Sequence, residues 1–233
     1  MAIPTFQALG NAAGSTAGFG TLAWPTHQVD DIALLFIETC GGQSTSLTVA
    51  AGFVAVPDSP QATGTTINGT QLSVFWCRAT SSAMGNPTLG DSGDHQYGRI
   101  VTYRGCATTG DPFDVTVGNV KTTASTSASA PSVTTTSNDC LIVNAIAHDL
   151  DTATAQFSSW TNANLSNVTN RSDNGSTQGN GGGIGITDGG LAIAGASGVT
   201  TATVASSVNA SLTIALKGII GASVNASAFF AFF

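Results

Sequence analysis

The chain has 233 residues, with six basic and thirteen acidic side chains, a formal charge of −7 and only 8% charged residues. Disordered chains combine low hydrophobicity with high charge, so a hydrophobic content of 42% excludes that class and points to a folded, polar-uncharged surface of Thr, Ser, Asn and Gly. Arg78, Arg99, Arg104, Lys121, Arg171 and Lys217 are scattered along the chain, so neither nucleic acid nor an anionic membrane is an expected partner.

Residues 1–5 carry no basic segment followed by an apolar one, so no secretory signal is expected, and no stretch approaches the ~18 apolar residues of a membrane span. Without a signal, Cys40, Cys77, Cys106 and Cys140 are expected as reduced thiols, with Cys77 and Cys140 buried as small hydrophobes.

In chain order, residues 1–20 read as a first edge strand or an arm. A polar turn closed by Asp30 and Asp31 then feeds residues 32–37, a short apolar run predicted as a fully buried strand that stops at Glu38, before Gly41 and Gly42. Residues 46–49 and 52–56 are further short strands, the latter ended by Pro57. After a Pro/Gly/Thr/Asn loop at 59–70, residues 71–78 suit a central strand. A second loop at 85–94 precedes a strand at 96–104, rich in tyrosine and β-branched residues and closed by Gly105.

Gly110, Asp111 and Pro112 mark a turn. Residues 121–137 are almost entirely Thr, Ala and Ser. They read as a flexible linker or as an extended crossover, with 132–136 as a possible edge strand.

From here the order repeats. Asp139 and the apolar run 140–147 correspond to Asp31 and 32–37, an offset of 108 residues. Residues 157–161 take the place of 52–56, the Asn/Ser/Gly loop 162–182 that of 59–70, and 183–187 with 191–194 that of 72–77. The strand 210–217, ending in Lys217 and Gly218, mirrors the one ending in Arg104 and Gly105. No segment has a capped helical stripe. The expected fold is therefore all-β: a two-sheet antiparallel β-sandwich of jelly-roll type, built from two similar halves (about 20–118 and 131–218) in one domain of residues 1–218, with little or no helix.

Few residues invite a chemical reading. The segment from Gly90 to Gly93 resembles the nucleophile loop of trypsin-like proteases, but Asp94 stands where that family has Gly, and turn residues explain Asp91 and Ser92. His27, His95 and His148 are isolated, so a metal site would have to be assembled by long-range contacts alone. His148 with Asp149 and Asp151 is the best local candidate, and it reads as a solvated turn; no metal or cofactor is expected. The glycines of 179–185 fit neither phosphate-loop pattern and suggest a mobile loop tip or a close backbone contact between subunits. Residues 219–233 form an uncharged apolar tail ending in Phe229, Phe230, Phe232 and Phe233, which are candidates for docking either on the chain's own sandwich or on a neighbouring subunit.

The combination of Ala2 to Thr5, Trp24 to His27 followed by Asp31, then Ser73 to Arg78 and Arg99 to Gly105, resembles the small jelly-roll or β-sandwich virion structural proteins of tailed bacteriophages. The resemblance covers residues 1–115 and extends more loosely over the second half. It implies a non-enzymatic capsid cement or decoration protein, a homo-oligomer with a trimer favoured, whose partners are the major capsid protein or other virion proteins and which assembles in the host cytoplasm. The alternative is a tail- or fibre-associated sandwich that binds host-surface glycans through aromatics such as Trp160 or Tyr97. A hydrolase acting through Ser92 is the third reading.

Overall fold

The computed structural model describes residues 2–18 and 20–219. Among these, every regular element is a strand. In chain order they are β1 (Thr5–Leu9), β2 (Ala13–Ser15), β3 (Gly20–Thr21), β4 (Ile32–Cys40), β5 (Leu47–Val49), β6 (Val54–Ala55), β7 (Gln61–Ala62), β8 (Thr70–Arg78), β9 (Thr88–Leu89), β10 (Gln96–Arg104), β11 (Phe113–Ala130), β12 (Cys140–His148), β13 (Ser158–Thr161), β14 (Ser166–Ser176), β15 (Gly182–Leu191) and β16 (Thr200–Lys217).

They form two large antiparallel sheets and one small one. The first sheet has the order β1-β10-β4-β8-β6, with β2 also on β10 and β7 also on β8. The second has the order β11-β16-β12-β15-β14, with β13 also on β16. A short sheet β3-β9-β5 stands apart. When the five strands of each main path are numbered as they occur in the chain, both sheets read 1-5-2-4-3. Each large sheet is drawn from one contiguous half of the chain, and only the connection from β10 to β11 passes between them. A jelly roll alternates between its sheets, whereas here each of the two sheets laid face to face keeps to its own stretch of chain.

Alternation along each strand builds the core. Ile32, Leu34 and Phe36 of β4, with Leu72 and Val74 of β8 and Val101 and Tyr103 of β10, point toward the second sheet. There they meet Val143 and Ala145 of β12, Ile184 and Ile186 of β15, and Leu212 and Ile214 of β16. The alternate residues of β4, Ala33, Leu35 and Ile37, are covered from outside by Leu22, Phe53 and Leu89. On the far side, Cys140 and Ile142 of β12 pack with Val133, Leu165 and Leu191. Strands covered on both faces need apolar residues at every position, which is why 32–37 and 140–147 read as continuous runs without alternation. Each large core side chain contributes about 1.5–3 kcal/mol of gross burial.

Polar ties close the strand ends. Asp31, which is buried, accepts two hydrogen bonds from Arg104, at 2.8 Å from Nε and 2.7 Å from Nη2, joining the entry of β4 to the exit of β10. Arg171 of β14 makes the same bidentate contact with Asp188 of β15 at 2.8 and 2.9 Å. Its guanidinium also lies 4.5 Å from the ring centroid of Phe6, which ties the edge strand β1 to the second sheet.

Several expectations are corrected. Glu38 does not end a strand: β4 runs on to Cys40, and all nine of its residues are buried. Residues 121–130 are neither linker nor crossover but the second half of the 18-residue β11, because β16 supplies a hydrogen-bonding partner along nearly its whole length. Within the expected loop 162–182, residues 166–176 are β14, paired with β15, and β14 takes the sheet position of β6 that had been given to 157–161. Residues 183–187 belong to one strand that ends at Leu191, while Ile193 is exposed.

Leu34→Ala is expected to cost about 2–5 kcal/mol, seen as a lower urea midpoint at unchanged slope, whereas Val120→Ala on the exposed face of β11 stays within about 0.5 kcal/mol.

Candidate functional site

The inward rows of the first sheet do not stay apolar to their ends. On β4 the row of Ile32, Leu34 and Phe36 continues to Glu38 and Cys40. On β8 the row of Leu72 and Val74 begins at Thr70. On β10 the row of Tyr103, Val101 and Tyr97 leads back to His95, one residue before the strand. Pairing of Cys40 with Thr70 and of Thr39 with Gln96 brings these row ends together at one end of the sandwich. Glu38, Thr70, His95 and Cys40 are all buried there.

His95 is held from both sides. Its Nε2 lies 2.9 Å from Glu38 Oε2, and its Nδ1 lies 3.2 Å from Asp94 Oδ2. Thr70 donates to the other Glu38 oxygen at 2.9 Å, and the Asn180 amide donates to Asp94 Oδ2 at 2.6 Å. The Cys40 thiol donates to the Ile67 carbonyl at 2.9 Å. Asn180 belongs to the turn before β15, so the second sheet closes the site.

Two glycines permit this closure. A Cβ on Gly182 would overlap the Glu38 carboxylate, and a Cβ on Gly179, whose φ is +56°, would overlap Asp94. The glycine cluster spans the turn between β14 and β15 and the start of β15, and serves a close approach within one chain.

The electrostatics follow from burial and pairing. Burial pushes the Glu38 carboxyl up, against the hydrogen bonds of His95 and Thr70. Burial works to lower His95, but its contacts with Glu38 and Asp94 outweigh that and raise it, so the pair keeps its proton. The Asn180 amide holds Asp94 below the usual carboxylate range. Burial, reinforced by Asp94 and Glu38, pushes the Cys40 thiol up to about 11, so on its own it is a thiol and a poor nucleophile at neutral pH.

Among the described residues, Cys40, Asp94 and His95 are the one group of three or more metal-ligating side chains whose donor atoms all lie within 4.8 Å of one another. His148, Asp149 and Asp151 do not converge in this way. Leu150 N donates to His148 Nδ1 at 3.1 Å, and Asp149 accepts from Val208 N at 3.2 Å. His148 is wholly buried against Phe157 and is no solvated turn. Sequence reading missed this group because Cys40 is separated from Asp94 and His95 by more than fifty residues. The available signal was the inward parity of Glu38 and Cys40, carried beyond the point where the apolar run ends.

The remaining candidates have structural roles. Ser92 Oγ donates to the His95 carbonyl at 3.1 Å, and Asp91 accepts from Gly93 N at 2.9 Å. The His95 ring meanwhile faces Glu38 and Asp94, so it is not the base of Ser92. His27 Nδ1 contacts the Pro25 carbonyl at 2.7 Å, its Nε2 accepts from Met84 N at 3.3 Å, and its ring stacks on Trp24. Tyr97, named as an exposed glycan-binding aromatic, is a core residue with 3% exposure, and Trp160 is half-buried against Phe157. All four cysteines are free and buried. Phe229, Phe230, Phe232 and Phe233 lie outside the described residues.

Compared with protein-family models, with curated proteins and with solved structures, the chain gives no match in any of the three.

His148 supplies a pH test independent of this cluster. Burial lowers it from 6.5 to about 4, so between those values the unfolded chain binds a proton that the folded chain refuses. Its contribution is complete above about pH 6.5 and is lost as pH falls toward 4, by up to about 3 kcal/mol. Urea midpoints measured across that range are expected to fall more steeply for the wild type than for His148→Gln; equal slopes would remove His148 as the cause.

Proposed function

We propose that the chain is a non-enzymatic structural subunit of a virion, a capsid cement protein that forms a homo-oligomer, a trimer in the first instance, and bridges neighbouring capsid subunits. The observation that carries this reading is the edge strand β11. Its 18 residues pair with β16 on one side, and among the described residues no strand pairs with the other. An unpaired edge is a template for another chain, and proteins that must stay monomeric blunt such edges with charge, proline or short length. Here the edge is long, has no proline and carries two ionisable side chains, Asp114 and Lys121.

Its composition fits pairing through the backbone. From Asn119 to Ser127 most side chains are exposed, and apart from Val120 and Lys121 they are Asn, Thr, Ser or Ala, small enough to let a second backbone approach. The resemblance to tailed-phage virion proteins and the scarcity of charge over the whole chain point the same way. In this reading the protein acts by burying surface and adding strands, with no bond made or broken. The buried Glu38–His95 contact serves to hold β4 to the segment before β10, and Asp94 carries the tie on to the turn before β15.

Thr123→Lys combined with Thr126→Lys places two charges on exposed positions of this edge. The wild type is expected to be oligomeric by light scattering at micromolar concentration and to occupy a regular position on tailed-phage particles in electron cryomicroscopy. The double variant is expected to be monomeric, with an unchanged circular dichroism spectrum and melting temperature. A monomeric wild type that leaves particles undecorated would defeat the reading.

A further inference from the structure

We propose that Cys40, Asp94 and His95 form a binding site for a divalent transition metal of zinc's character, which clips the end of β4 to the segment before β10 at one end of the sandwich. This goes beyond the structural role proposed above and does not depend on it.

The geometry carries the proposal. The three donor atoms lie within 4.8 Å of one another. His95 Nδ1, the ring nitrogen that faces Asp94, is 3.2 Å from Asp94 Oδ2. Nitrogen and oxygen ligands on a tetrahedral zinc ion, each bound at about 2.0–2.2 Å, stand about 3.3–3.5 Å apart. Sulfur, nitrogen and oxygen in one set suit a borderline-soft ion and do not suit calcium or magnesium, which take oxygen ligands.

A second observation concerns the far side of the imidazole. Nε2 lies 2.9 Å from Glu38 Oε2, and Glu38 is itself fixed by Thr70 at 2.9 Å. A buried carboxylate behind a histidine is the arrangement that keeps a metal-ligating ring in one tautomer, with the proton on the nitrogen turned away from the ion. Here it leaves Nδ1 as the ligating nitrogen, aimed at Asp94. As the metal bonds form, the thiol of Cys40 and Nδ1 of His95, which carries a proton toward Asp94 in the metal-free protein, both release their protons to solvent, and the thiol's hydrogen bond to Ile67 is given up. Thiolate and carboxylate then bring two negative charges to a doubly charged ion. Three protein ligands leave one position of a tetrahedron for water, and the Asp94 side chain, 28% exposed, marks the route from solvent.

The test uses the full-length protein, stripped with a chelator and titrated with Zn2+ or Co2+ alone by calorimetry and absorption spectroscopy. Expected are one ion per chain, a thiolate-to-cobalt charge-transfer band, and a melting temperature that rises with metal concentration. Cys40→Ser removes the band and weakens Zn2+ binding by about 10-fold or more, and Glu38→Gln weakens it by about 10–100-fold while keeping the band. Asp94→Asn changes a partly exposed side chain and gives a second ligand variant should Cys40→Ser fail to fold. His27→Gln leaves binding unchanged. The proposal is overturned if the wild type shows no saturable binding, or if the folded ligand variants bind Zn2+ as tightly as the wild type.

Discussion

A carboxylic acid sits at zero exposure inside a strand that is covered on both faces. Glu38 is flanked along β4 by residues that are all buried, and an unpaired charge there would cost several kcal/mol. Much of that end of the molecule is arranged around satisfying it. His95 faces one oxygen, Thr70 donates to the other, and Asp94 backs the imidazole. The second sheet closes over the group through a position that tolerates no side chain, Gly182. The contact is costly to form and costly to break, since removing either partner leaves the other desolvated. It therefore fixes β4, β8 and β10 against one another at this end, and the bond from the Asn180 amide to Asp94 extends the tie to the turn before β15.

The opposite end of the sandwich solves a related problem differently. Asp31 is as buried as Glu38, but its partner Arg104 lies at the rim with a partly exposed side chain, so one bidentate contact suffices. The two acids cap the same strand: one joins β4 to β10 at the rim, the other joins β4 to β8 and to the residue before β10 in the interior, beneath Gly182 of the second sheet. With its termini pinned in this way, β4 can be the centre of a sheet whose outer covering is mostly loops and the short sheet β3-β9-β5.

Central strands were legible in the sequence because burial on both faces writes itself as an apolar run in β4 and β12, and as a concentration of aromatic and β-branched residues in β8 and β10. Residues 32–37, 71–78, 96–104 and 140–147 all fall within strands, and the aspartate before each of β4 and β12 marks their entry. Peripheral strands were not legible. In β11 and β14 the residues are mostly Thr, Ser, Ala, Asn and Gly, whose local preference is weak, and their conformation is set by partners 70 or more residues away in β16 or by the adjacent β15. Glu38 misled for a related reason: a charge at the end of an apolar run reads as solvent, and only the pairing of Leu72 opposite it shows that the strand continues inward. The Cys40, Asp94 and His95 group lay outside any local window, since sheet order alone brings Cys40 next to His95.

The chain passes between its two large sheets once, through residues 105–112, and each sheet has its five main strands in the same order. Each half therefore holds its own hydrogen-bonded framework, and the two meet in a single face-to-face interface. That arrangement divides the entropic cost of a long-range β fold into two smaller closures and one association. It also means that the docking step is blind to which chain supplies the second sheet. At high local concentration, two chains can complete each other's sandwiches by exchanging whole sheets, with eight connecting residues as the only segment that must change its path.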